Sequence, residues 1–139
     1  MRQNRSMPAS TVIPELAYPD IGEAIAWLCS AFGFTLRVRI GRHRAQLNVG
    51  DGAVVLTEWR REGHRDAELA HSVMVRVDDV DRHYERARLH GARVIGPPAD
   101  YPYGERQYTA EDLVGHRWTF SQSIADIHPT DWGGTPGVL

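Results

Sequence analysis

One pattern constrains this chain more than any other: a strand, a helix and three strands, read twice. The first copy opens with Thr11–Ala17, where Pro14 suits an edge strand. Asp20 followed by Glu23 forms a capping-box signal, and Ile21, Ala24, Leu28 and Ala31 recur at helical spacing until Gly33. Alternating segments follow at Thr35–Ile40, His43–Val49 and Ala53–Trp59, separated by Gly41-Arg42 and Gly50-Asp51-Gly52. The second copy runs through a strand at Ser72–Val77, a helix opened by Asp78-Asp79 and closed by Gly91, and strands at Ala92–Gly96, Glu105–Ala110 and His116–Gln122. A Pro- and Tyr-rich loop is expected at Pro97–Gly104. A duplicated unit of about 50 residues specifies an α+β fold of two βαβββ modules.

The expected organisation is a flexible tail over 1–10, modules over 11–59 and 70–122, a charged linker over 60–69, and a C-terminal tail over 123–139. With 139 residues, all of this fits one domain. The formal net charge of -2 gives no basic field for nucleic acid. No apolar run reaches the roughly 18 residues of a membrane span, and the polar start does not read as a signal peptide. A single cysteine, Cys29, excludes an intrachain disulfide and sits in the apolar helix pattern as a buried thiol. These features together suggest a cytoplasmic protein.

Tyr18-Pro-Asp20, Ala24–Leu28 and Phe32-Gly-Phe34 resemble the first helix region of glyoxalase/bleomycin-resistance proteins of the vicinal oxygen chelate superfamily. Val77–Asp81 and Gly91–Val94 resemble the start of their second module. Gly104–Tyr108 and Asp112–Phe120 resemble their closing hairpin, and the match spans about Thr11 to Gln122. The resemblance implies a curved mixed sheet whose concave face is a cleft and whose convex face packs on helices. It also implies modules that often pair across a homodimer.

Catalytic relatives hold a divalent metal with His and Glu side chains. The resemblance puts the four ligand positions at Ile13, Leu56, Ser72 and Thr119, none a strong ligand. No metal or other cofactor is therefore expected. His71, one place from Ser72, and Glu58 are the two residues that would rescue a metal site. The remaining histidines, His83 among them, fall on strands, loops and exposed helix faces without ligand-like spacing and read as surface or structural.

Strand alternation then gives the expected cleft walls: Ile13, Glu15 and Ala17; Val54, Leu56 and Glu58; Ser72, Met74 and Arg76; Arg117, Thr119 and Ser121. By resemblance Gln107 and Thr109 also face in, while Trp118 and Phe120 face the helices. Arg76 is either a clamp for an anionic group or a partner for Glu58. Tyr101-Pro-Tyr-Gly104 is a candidate lid or stacking wall, or simply a loop anchor. The leading expectation is a metal-free protein that binds an antibiotic-like or aromatic small molecule. The alternatives are a metal-dependent lyase or dioxygenase of the same superfamily, and a metal-free isomerase with Glu58 or Glu15 as base.

Overall fold

The computed structural model describes residues 4–59 and 72–138. The expected linker and His71 lie outside the described residues. The first module contains β1 (Glu15–Tyr18), α1 (Ile21–Phe32), β2 (Thr35–Ile40), β3 (Arg44–Val49) and β4 (Gly52–Glu58). The second contains β5 (Val73–Arg76), α2 (Val80–Leu89), β6 (Arg93–Tyr101), β7 (Glu105–Glu111) and β8 (Arg117–Ser123). A 3-10 turn at Pro129–Trp132 follows. The strand orders β1-β4-β3-β2 and β5-β8-β7-β6 are the same arrangement twice, with the β1–β4 and β5–β8 pairs parallel and the others antiparallel. This is the two-module α+β fold that the repeated pattern specifies.

Both helices begin where an aspartate can cap them. The Asp20 carboxylate accepts from the Glu23 N–H at 2.9 Å, and Asp79 accepts from the Arg82 N–H at 3.1 Å. Each cap satisfies an orphan donor and contributes about 1 kcal/mol. The helices pack on each other and on the inner faces of both sheets. One core results, joining Leu16, Leu28, Phe32, Leu47 and Leu56 of the first module to Val80, Tyr108, Trp118 and Phe120 of the second.

Polar contacts fix how the modules meet. Tyr18 donates its hydroxyl to the Asp112 carboxylate at 2.6 Å, and Trp118 Nε1 donates to the same oxygen at 3.1 Å. The other Asp112 oxygen accepts from the N–H groups of Val114 and His116. Burial and the neighbouring Asp112 charge push the Tyr18 phenol well above its ordinary range, so it stays a donor. His116 Nε2 contacts the Ala17 carbonyl oxygen at 2.7 Å, and Trp27 Nε1 donates to the His90 carbonyl.

Three expectations need correction. The Pro97–Gly104 loop is strand as far as Tyr101. β6 is an edge strand whose register shifts between Gly96 and Ala99, so Pro97 and Pro98 cost little pairing there. His83 does not lie on an exposed helix face: it is half-buried against Phe32 and Phe120. Finally, residues 4–8 of the expected loose tail are held on the first sheet, with Pro8 buried.

Candidate functional site

The inner face of each sheet is spent on the shared core, so the two outer faces point away from it. They are the surfaces left to meet a ligand. On the second sheet the outer face carries most of the expected residues. Register sets Met74 beside Thr119 and Arg76 beside Ser121. It sets Thr109 beside Thr119, Gln107 beside Ser121 and Glu111 beside Arg117. Trp118, Phe120, Tyr108 and Ala110, which alternate with them, are buried in the core. Ser72 is exposed just before β5.

This face is amphipathic and pre-ordered. Tyr103 donates to Gln107 Oε1 at 3.1 Å, Gln107 Nε2 donates to Ser121 Oγ at 3.0 Å, and Ser121 donates to Glu105 at 2.7 Å. The Thr109 and Thr119 hydroxyls bond each other at 2.9 Å. Glu105, absent from the expected set, belongs to this chain. Burial raises its pKa, but hydrogen bonds from Ser123 and Ser121 and the Arg76 charge together hold it below the ordinary carboxylate value. Arg76 therefore has Glu105 as its electrostatic neighbour. Glu111 lies 3.5 Å from Arg93 and 3.7 Å from Arg117. Among these polar groups Met74 stands 64% exposed, an unsheltered apolar side chain. A groove of about 300 Å³ runs along β5, between Val73–Arg76 and the Val12, Pro14 and Gly50–Val54 edge of the first sheet.

Aromatic rings gather where β6 turns into β7, at the other edge of this sheet. Tyr101 and Tyr103 stack at 5.5 Å, and Trp132 lies against Tyr103 at 5.3 Å. The chain after β8 brings Trp132 there by crossing Gly104, whose carbonyl accepts from the Ile124 and Ala125 N–H groups. A Cβ on Gly104 would meet the Ala125 oxygen at 2.4 Å. Its φ of 83° also favours glycine.

On the first sheet Glu15 and Ala17 face outward as expected, but along β4 the expectation fails by one residue. Leu56 is fully buried in the core, paired in register with Leu16 and Ala45, and cannot line a cleft. Glu58 shares that face and sits beside Tyr18 at the strand end. The outward residues are Ala53, Val55 and Thr57, beside Glu15, Ala17, Arg44 and Gln46. Residues 53–56 are all buried, so β4 shows no alternation of burial from which its faces can be told apart. Glu15 pairs with Arg44 at 2.8 Å, which leaves it poorly disposed as a base.

Among the described residues, those at the expected ligand positions do not fit the divalent metal of the catalytic relatives. Leu56 offers carbon and lies in the core, and the Thr119 hydroxyl is bonded to Thr109. Val55 and Thr57, the true outward neighbours of Leu56, provide no imidazole or carboxylate. Among the described residues no group of three or more His, Cys, Asp or Glu side chains is placed to hold a metal. His83 is committed to structure, with Nδ1 2.5 Å from the Tyr108 hydroxyl and Nε2 3.1 Å from the Phe32 carbonyl. Cys29 is half-buried, and burial raises its thiol pKa, which keeps it a weak nucleophile.

Comparison with known proteins agrees with this fold. The family model described as Glyoxalase/Bleomycin resistance protein/Dioxygenase superfamily matches residues 11–120. The crystal structure of TioX from Micromonospora sp. ML1 shares 36% identity, covering 86% of this chain and all of that one, with a TM-score of 0.68. A glyoxalase/bleomycin resistance protein/dioxygenase from Nocardioides is 25% identical, over 94% of this chain and 89% of the other, with a TM-score of 0.59. A glyoxalase/bleomycin resistance protein from Streptomyces sp. CB03234 is 23% identical, over 81% of this chain and all of the other; its TM-score of 0.66 speaks to the fold. The curated proteins gave no match. The chain belongs to the glyoxalase/bleomycin resistance protein/dioxygenase superfamily.

Proposed function

We propose that this protein is a metal-free binder of an apolar or aromatic small molecule, as the bleomycin-resistance part of the family name suggests. The observation that carries this reading is the outer face of the second sheet. There Met74 is exposed beside Gln107, Thr109, Thr119 and Ser121, which are already ordered by hydrogen bonds. Polar groups already fixed in place, beside a groove lined by Val12, Pro14, Val54, Val73 and Val75, suit ligand capture. Arg76 and Glu105 supply the charges, and the Tyr101–Tyr103–Trp132 rings supply a stacking wall.

An outer face covers a ligand on one side only, and a second copy of the chain would supply the surface that closes the cleft. We therefore read the working form as a cytoplasmic homodimer, each cleft formed by the first module of one chain and the second module of the other. The metal-dependent lyase or dioxygenase reading lacks a donor set among the described residues. The isomerase reading lacks a free base, since Glu58 lies on the wrong face and Glu15 is ion-paired.

The test is a thermal-shift screen of aromatic and apolar compounds on chelator-treated protein, with hits mapped through the Met74 methyl resonance. Stabilisation that survives chelation and moves that resonance supports the reading. Hits that appear only after Ni, Zn, Fe or Mn is restored would overturn it.

A further inference from the structure

The outer face of the first sheet is already occupied by the chain's own residues 4–8. Arg37 falls at the register irregularity between Leu36 and Val38. Its Nη2 donates to the carbonyls of Arg5 and Met7 at 2.9 and 3.0 Å, and its Nη1 donates to Gln46 Oε1 at 2.6 Å. That last bond orients the Gln46 amide, whose Nε2 donates to the Ser6 carbonyl at 2.9 Å. Three successive main-chain carbonyls are thus held by two side chains. Pro8 is buried next to them. Gln46 and Val55 lie away from the helices, yet they are only 4% and 1% exposed.

The contact reads backbone rather than sequence. In these bonds the segment uses no side chain to reach the sheet and adds no strand to it. It connects to β1 through Thr11 and Val12, both exposed, the latter at 78%. An arginine fork and a fixed amide are suited to amide carbonyls, which accept and do not donate. If the segment departs, its carbonyls are satisfied by water, so the exchange strands no polar group.

We propose that this face is a binding site for a carbonyl-rich, peptide-like ligand, and that residues 4–8 are an internal stand-in which such a ligand displaces. The inference rests on the small-molecule-binding reading and names a ligand class for the first-module half of that cleft. A tethered stand-in reduces apparent affinity by the fraction of time it occupies the site, so loosening it strengthens binding.

The probe is the blocked tetrapeptide acetyl-Ala-Ala-Ala-Pro-amide, titrated into the full chain and followed by NMR at the Gln46 side-chain amide. Pro8→Asp, which makes the buried anchor charged, is expected to tighten binding by about five-fold or more. Adding Arg37→Met or Gln46→Met to that variant is expected to weaken it about ten-fold. The two are measured separately, so a folding defect in one leaves the other informative. Unchanged affinity in Pro8→Asp, or in both double variants, would overturn the proposal. So would a screening hit that binds beside Met74 with the same Kd in every variant, an outcome that leaves the broader function intact. If no compound binds either sheet, the broader reading fails, and the peptide titration alone decides whether this face is a carbonyl receptor.

Discussion

Asp112 accepts four hydrogen bonds, and two of the donors, Tyr18 OH and Trp118 Nε1, are buried ring groups from different modules. Replacing it with alanine strands both. We expect Asp112→Ala to cost at least about 3 kcal/mol in urea unfolding. Tyr18→Phe removes one donor and should cost about 1 kcal/mol; equal losses in the two variants would contradict this account. His83 makes a pH-dependent contribution. Burial, the largest cause, lowers its pKa from the ordinary 6.5 to about 4, opposed by its bond to the Phe32 carbonyl. Between those values the unfolded chain binds a proton that the folded chain does not, so stability falls as pH drops from 6.5 towards 4 and is complete above 6.5. The expected loss across that window is on the order of 2 kcal/mol after discounting for partial exposure. His83→Gln should flatten the slope there, whatever its effect at neutral pH.

At the scale of elements, the sequence disclosed most where one face is wet. Along β8, Trp118 and Phe120 are buried while Arg117 and Thr119 are accessible, so alternation made the latter two legible as outward; Gln107 and Thr109 on β7 came from the family resemblance. β4 is buried through Ala53–Leu56, and there the same reasoning put Leu56 and Glu58 on the wrong side. Glu105 was passed over because it opens a strand; only the fold brings Ser121 and Arg76 to it. Nor could composition show that residues 4–8 seat on a sheet, because their carbonyls, not their side chains, make the contact. The aromatic wall depends on a close crossing that Gly104 permits. Gly104→Ala should push the Ala125 oxygen away and release Trp132 from Tyr103. A red shift of tryptophan emission and a lowered urea midpoint, a loss of about 1 kcal/mol or more, are the expected result, and an unchanged spectrum would argue against the crossing as the anchor.

For the whole molecule, two sheets share their inner faces with one pair of helices; the outer face of the second sheet is open, and residues 4–8 lie on that of the first. On the proposed reading a second copy closes the cleft, and analytical ultracentrifugation at micromolar concentration should then show two chains. The central claim is that ligand lies on the outer face of the second sheet and is held without metal. It is tested most directly by calorimetry of a screening hit, in chelator, against wild type and Met74→Arg. Met74 is 64% exposed, so arginine there should fold normally while placing charge and bulk where the ligand packs. We expect binding to fall by about 100-fold, a difference of about 2.7 kcal/mol. Equal affinity in the two proteins, or binding to wild type that vanishes with chelation, would contradict the account.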